Sequence, residues 1–451
     1  MEFNESIFKA YDIRGKVPAE LTPEVARAVG RALADFLPPG EVALGRDMRP
    51  DSSELARALS AGLTGQGRVV VDLGQITSDM MYYAVGQYGF AGGAMVTASH
   101  NPGEYNGIKL TAKGVAPIGE DSGLSVIKQT ITDDSYQPPS GDGTVRSLDI
   151  LDGWVKHALT FAPNLTALKV GIDAGNGMGG IIVPELEKLT DLQISGLYLE
   201  LDGTFPNHPA NPLVYENLKD LIELVKANQL DCGIAFDGDG DRAFMVDDNG
   251  EVVSGSVLGA LLSEHFLKLS PGATILYNAI TSKIVPETIA AAGGKAIRTR
   301  VGHSFIKADM RQHGAVFACE HSGHFYFQDN YNADSGVIAA LCVLDIISQT
   351  GKKLSELCRP LRQKYLDSGE INFDVSDKDK TIALVSEHYS DGQTDNLDGT
   401  TISYPDWWFN LRPSNTEPLL RLNIEAENPE TLKQNLEVIS KIIQKSIDSK
   451  Y

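Results

Sequence analysis

Cysteine is scarce in this chain and never closely paired: Cys232, Cys319, Cys342 and Cys358 are widely spaced and form no CxxC. A disulfide framework or a structural zinc ribbon needs such pairs, so neither is expected. Long apolar runs are missing too. The best of them, residues 337–344, stops at Asp345 and falls far short of the roughly 20 residues that cross a bilayer. The opening MEFNESIFKA lacks the apolar stretch of a secretory signal, and a cytoplasmic location is expected. Positive charge is also short, with 39 Lys and Arg against 60 Asp and Glu and a formal net charge of −21. That balance argues against nucleic acid or an anionic membrane as partner. A small anionic substrate stays compatible, because charges further away than a Debye length of about 8 Å are screened and a few cations in a cleft dominate locally.

What is present is an ordinary globular composition, 42% hydrophobic and 22% charged, over 451 residues. One hydrophobic core does not normally serve such a length, and three or four domains are expected. A strand, turn, helix pattern recurs at long intervals. It reads as strand 41–45, turn 46–50 and helix 52–63, capped by Asp51 or Ser52; then strand 168–172, turn 173–180 and helix 181–189; then strand 273–276, turn 278–283 and helix 284–292. A helix over 23–36 precedes the first unit, and Arg14 is expected in a loop before it. The turn DAGNGMGG does not match G-x-G-x-x-G in register, so a dinucleotide site is set aside. Linker-like composition at 133–143, and breaks near 248–255 and 365–369, divide the chain into 1–143, 144–253, 254–367 and 368–451. The last part differs: short strands, then a final helix capped by Asn428, opened by Pro429 and striped with Leu432, Leu436, Ile439 and Ile443. The expected fold is α/β, three similar mixed α/β domains followed by a small α+β domain.

Five stretches carry chemistry. TASHNPGEYNGIKL (97–110) follows the apolar strand 92–96 and displays Ser99 beside His100, with Lys109 beyond. DGDGDR (237–242) alternates three carboxylates with glycines after the apolar strand 232–236, which suits a hard cation such as Mg²⁺ better than a solvated turn. It is no EF-hand, since Arg242 and Asp248 stand where that loop needs Gly and Glu. RPSNTEP (412–418), with Arg421 beyond, offers a guanidinium, hydroxyls and an amide to a tetrahedral dianion; a plain turn would not require Arg412. In CEHSGHFYF (319–327) the Cys and His residues lack a fourth zinc ligand at a suitable spacing, whereas Glu320 and Ser322 suit sugar hydroxyls. GHSFIK (302–307) reads as a structural loop.

Taken in order with the opening YDIRG, these motifs resemble the α-D-phosphohexomutase superfamily, and within it the bacterial phosphomannomutase/phosphoglucomutase branch. The resemblance implies a heart-shaped, four-domain protein whose central cleft takes one loop from each domain. It implies that Ser99 is phosphorylated in the resting enzyme, and that Mg²⁺ is held by that phosphate with Asp237, Asp239 and Asp241. Arg14, Lys109 and Arg242 would stabilise the transferring group, and His100 and His324 would be the candidates for moving the sugar's proton. Glu320, Ser322 and His303 would grip the sugar, while Arg412, Ser414, Asn415 and Thr416, with Arg421, would bind the phosphate that is not reacting. The implied reaction interconverts hexose 1-phosphate and hexose 6-phosphate, of mannose or glucose, through a hexose 1,6-bisphosphate. One position departs from the pattern: in YNAITSK, Ile280 stands where relatives carry lysine, so Lys283 or Lys307 would have to supply that contact.

Three rivals are a phosphoglucosamine mutase, a Mg²⁺-dependent phosphatase on the same scaffold, and a non-catalytic sugar-phosphate binding protein. The last would be expected to have lost Ser99 or a metal-loop aspartate, and this chain keeps them all.

Overall fold

The computed structural model describes residues 3–414 and 419–448. The first sheet is built from β1 (Ile13–Lys16), β2 (Val42–Arg46), β3 (Val69–Gln75), β4 (Gly92–Val96), β5 (Tyr105–Ala112), β6 (Ala116–Pro117) and β7 (Thr144–Ser147). Its order is β1-β5-β4-β2-β3-β7, with β6 on β5. Strands β4, β2, β3 and β7 run parallel, and β5 turns back antiparallel to β4. Parallel strands covered on both faces read as continuous apolar runs, which is what β2 and β4 are.

The second sheet repeats this plan with β8 (Lys169–Asp173), β9 (Gln193–Leu197), β10 (Cys232–Phe236), β11 (Ala243–Asp247) and β12 (Val252–Val253), in the order β12-β11-β10-β8-β9. The third uses β13 (Thr274–Asn278), β14 (Lys295–Thr299), β15 (Phe317–Cys319), β16 (Phe325–Phe327) and β17 (Ala333–Asp334), in the order β14-β13-β15-β16-β17. In each, parallel strands meet an antiparallel partner: β10 with β11, and β15 with β16, as β4 with β5. The TASHNPGEYNGIKL, DGDGDR and EHSGH motifs therefore begin in the same turn of three similar units. The fourth sheet is wholly antiparallel, β18 (Leu366–Asp374), β22 (Leu419–Ala426), β21 (Trp407–Pro413), β20 (Thr400–Ser403) and β19 (Gln393–Asp395), with RPSNTEP beginning at the end of β21.

One continuous apolar cluster joins the first three units, running from Met80, Tyr83 and Trp154 through Ile172 and Phe236 to Phe317 and Val337. The fourth has its own core, in which Ile439 and Ile443 of the final helix pack on Phe409 and Ile424. It meets the third unit through polar contacts, among them Lys283 N–H to Glu425 (2.9 Å) and Val301 N–H to Asp398 (2.7 Å). No described helix is long and apolar enough to cross a membrane.

Several expectations are corrected. Arg14 lies on β1, paired opposite Gly107 of β5, and not in a loop. GHSFIK is the first turn of a helix, His303–His313. Gly302 enters it at φ +132°, and a Cβ there would stand 2.5 Å from the Tyr11 ring, so the glycine lets the chain turn in against the first unit. The second unit's helix is split into a 3₁₀ turn, Met178–Ile181, and Val183–Leu189, with Pro184 in the first turn, where a missing N–H is tolerated. Thr144–Ser147 joins the first sheet, past residue 143. Asp51 makes no side-chain cap, and the Ser52 hydroxyl donates to Asp47 instead.

Two helices, α1 (Pro23–Phe36) and α2 (Ser52–Gly65), cross closely in the first unit, where Gly30 meets Gly62. A Cβ at Gly62 would lie 2.1 Å from the Arg27 carbonyl, a backbone clash that no rotamer relieves. Gly62→Ala is expected to lower stability by about 1–3 kcal/mol from overpacking, outweighing the roughly 1 kcal/mol gained in helix propensity. Calorimetry reads this as an earlier first unfolding transition. An unchanged or later transition would contradict the packing.

Candidate active site

Ser99 sits just past β4 and is only 5% exposed. Its φ of +52° lies in the left-handed region, where a non-glycine residue costs about 1–3 kcal/mol unless its surroundings hold it. Arg49 does so. Its guanidinium donates to the carbonyls of Ser99 (2.9 Å), Asn101 (2.6 Å), Pro102 (2.9 Å) and Tyr105 (2.7 Å), and the Ser99 N–H donates to Thr97 Oγ1 at 2.9 Å. Arg14 adds a bond from Nη1 to Asn101 Oδ1 at 2.7 Å.

The Ser99 hydroxyl donates across the unit boundary to Asp237 Oδ2 at 2.7 Å and lies 3.2 Å from His100 Nδ1. Asp237 also accepts from Arg242 Nε at 2.9 Å. Lys109, on β5, donates to Asp239 (2.7 Å) and Asp241 (2.6 Å), and Ser78 donates to Asp239 at 2.6 Å. The motif's glycines now have a reason. A Cβ at Gly238 would stand 2.3 Å from the Ser99 carbonyl oxygen, and Gly240 has φ +76°.

One oxygen from each of Asp237, Asp239 and Asp241 lies within 4.8 Å of the others, all three residues being buried. Asp239 Oδ1 and Asp241 Oδ1 are buried without a hydrogen-bond partner. Three carboxylates against Lys109 and Arg242 leave one negative charge over. Burial and the adjacent Asp239 carboxylate push the Asp241 carboxyl up, while Lys109 holds Asp239 down despite its burial. Partnerless hard oxygens with surplus negative charge fit a divalent cation such as Mg²⁺.

The third unit closes on this centre. Ala243 N–H donates to the Gly323 carbonyl at 3.3 Å, and Arg242 bridges His324 by backbone pairing. His324 Nδ1 is 2.9 Å from Asp334 and 3.8 Å from Asp241. Burial pulls its pKa down, but Asp241 and then Asp334 outweigh that and leave it raised. His100 goes the other way, held well below its ordinary value by burial and by Arg242 and Arg14. Glu320 is buried with Oε2 accepting from Asn278 (2.9 Å) and Oε1 from Tyr326 OH (2.5 Å). Ser322 is half-buried in the same turn. His303, at the start of its helix, packs edge-on to Tyr11 and keeps a buried Nδ1 without a partner. Cys319 lies in the apolar cluster, and it joins neither of the metal-capable groups found among the described residues.

From the fourth unit, Arg412 is buried and donates to Asn423 Oδ1 at 2.7 Å and to Glu370, which also pairs with Arg421 at 3.2 Å. Ser414 N–H donates to the Leu419 carbonyl at 2.8 Å. Asn415 and Thr416 lie outside the described residues. His321 faces this group from the third unit: burial pushes it down to about 4, with Glu370 opposing and Arg412 and Arg421 reinforcing the fall. Ile280 is buried, and neither lysine proposed in its stead stands free, since Lys283 Nζ donates to the Tyr404 carbonyl (3.3 Å) and Lys307 pairs with Asp334 (2.7 Å).

Arg49, Asp334 and Glu370 were not singled out by the sequence motifs, and His321 was weighed only as a zinc ligand. Arg49 had a local signal, a turn with two arginines and an aspartate, GRDMRP, at the end of β2 beside β4.

Gly238→Ala is expected to push the acidic loop off the Ser99 carbonyl and weaken divalent-cation binding roughly 10- to 100-fold, the scale on which supporting groups act. Isothermal titration calorimetry measures this without any turnover. Wild-type affinity in the variant would contradict the close approach.

Four domain families described as phosphoglucomutase/phosphomannomutase match the chain: alpha/beta/alpha domain I over residues 5–137, domain II over 152–250, domain III over 254–365, and the C-terminal domain over 370–441. A protein named Phosphohexose mutases from Xanthomonas campestris pv. campestris (strain B100) is 40% identical, covering 94% of this chain and 96% of its own. The Phosphomannomutase of Escherichia coli (strain K12) is 38% identical, covering 93% and 94%. A crystal structure of a phosphoglucomutase/phosphomannomutase family protein from Burkholderia thailandensis superposes with a TM-score of 0.89 at 32% identity, over 99% of this chain and 98% of that one. With all four domains matched in order, and three α/β units that bring Ser99, the acidic loop and His324 together, this chain belongs to the phosphoglucomutase/phosphomannomutase family.

Proposed function

We propose that this phosphohexomutase carries the migrating phosphate on Ser99 and interconverts hexose 1-phosphate and hexose 6-phosphate of mannose or glucose. The observation that carries the reading is the Ser99 hydroxyl bonded to Asp237 at 2.7 Å, with Lys109, Arg14 and Arg242 around it. Phosphoryl transfer asks a protein chiefly for positioning and for positive charge at the equatorial oxygens, and those cations supply it. Asp237, Asp239 and Asp241 would hold Mg²⁺, which would add charge at the transferring group. In the first half-reaction a sugar hydroxyl attacks the phosphorus of phosphoserine. The new O–P bond forms, the P–Oγ bond breaks, the hydroxyl's proton passes to His324, and the departing Oγ takes up one proton from solvent. Ser99 ends as a protonated hydroxyl, and the second half-reaction reverses this at the other end of the sugar, so the cycle moves no net proton. His100, kept neutral beside Ser99, takes the lesser part.

The remaining residues would hold the bisphosphate in either orientation. Arg412, Arg421 and Ser414, with Asn415 and Thr416, would clamp the idle phosphate, while Glu320, Ser322 and His303 would grip the sugar. Polar contacts between the third and fourth units suit a joint that opens for the turn-over, since such interfaces commonly permit relative motion. The name of the Escherichia coli relative favours mannose among the sugars.

Turnover of mannose 1-phosphate, glucose 1-phosphate and glucosamine 1-phosphate tests this. Ser99→Ala is expected to lose at least roughly 1,000-fold in kcat on each substrate it uses, since loss of a covalent carrier removes the pathway. Wild-type protein is expected to prefer the first two sugars. Turnover in Ser99→Ala at the wild-type rate, or a preference for glucosamine 1-phosphate, would overturn the reading.

A further inference from the structure

Asp334 stands on β17 opposite Tyr326 of β16, and Tyr326 stacks its ring on His324. Its carboxylate is 1% exposed and lies between two nitrogens: Oδ2 is 2.9 Å from His324 Nδ1, and Oδ1 is 2.7 Å from Lys307 Nζ. Lys307 is itself 1% exposed, and its ammonium lies 3.5 Å from the centre of the Tyr82 ring, on α3 (Ser78–Gln87) of the first unit. A lone buried carboxylate would cost several kcal/mol, so the Lys307 charge is what keeps Asp334 ionised and in place. Although Asp241, His324 and Asp334 have donor atoms close enough for a metal, Lys307 already neutralises Asp334. The arrangement is a chain from ammonium to carboxylate to imidazole that ends at a ring whose side chain stays 19% exposed.

We propose that Asp334 is a positioning residue for proton transfer: by accepting from Nδ1–H it fixes the ring and tautomer of His324, leaving the Nε2 lone pair for the sugar hydroxyl, and Lys307 anchors Asp334 in turn. A histidine with one nitrogen committed to a carboxylate presents the other in a defined state and direction. As the hydroxyl oxygen bonds to phosphorus and the P–Oγ bond of Ser99 breaks, the hydroxyl's proton moves to Nε2 and the released Oγ takes up a proton from solvent. Asp334 remains a carboxylate throughout. The inference rests on His324 being the group that takes this proton.

The test is steady-state turnover of mannose 1-phosphate or glucose 1-phosphate, with glucose 1,6-bisphosphate present, in wild type, Asp334→Asn, His324→Ala and the double variant. Asp334→Asn is expected to lower kcat roughly 10- to 100-fold with KM within about twofold, and to cost nothing further in the His324→Ala background. A wild-type kcat in Asp334→Asn, or a loss that multiplies in full with that of His324→Ala, would overturn the inference. If His324→Ala turns over normally, the proton assignment fails first and the role of Asp334 with it. Nitrogen NMR of the unaltered, histidine-labelled protein needs no variant to fold: neutral His324 is expected to carry its proton on Nδ1, and a proton on Nε2 alone would contradict the proposal.

Discussion

The structure turns on the burial of three carboxylates beside a serine. Asp237, Asp239 and Asp241 are packed out of solvent with their oxygens within 4.8 Å of one another. At an effective dielectric of about 20, two charges about 4 Å apart repel by about 4 kcal/mol, so the loop holds together only with cations against it. Lys109 comes from the first unit and Arg242 from the loop itself. The same contacts that balance the charge bring Ser99, Lys109 and the acidic loop to one point. Those ion pairs add to the apolar cluster that joins the units.

Topology explains why the parts meet. Each of the first three units ends its parallel strands with an antiparallel return, and each return starts from a functional turn. Because one apolar cluster runs through all three units, those turns are fixed relative to one another. The fourth unit keeps a separate core and touches the third by polar bonds, and its Arg412 and Arg421 pair with Glu370.

Much of this was legible in the sequence, and what was legible was local. Helix α1 spans Pro23–Phe36 as read, and the Asn428 cap and the Ile439–Ile443 stripe hold as well. Ser99 and the three aspartates stand out because each lies in a short, odd turn after an apolar strand. Arg49, Asp334 and Glu370 did not stand out, because their importance lies in partners far along the chain: Arg49 reaches Ser99, Glu370 reaches Arg412, and Asp334 reaches Lys307. GHSFIK was misread for a similar reason. Gly302 looks like a loop residue until the Tyr11 ring against it is seen. Likewise β1 is a strand only because β5 returns beside it.

The central proposal is that Ser99 carries the phosphate. The most direct test is to mix the protein with isotopically labelled hexose 1,6-bisphosphate, quench rapidly, and map the peptides by mass spectrometry. The account predicts labelled phosphate on Ser99, lost again when hexose monophosphate is added while bisphosphate appears in its place. Turnover with Ser99 unlabelled, or with the label on another residue, would contradict it.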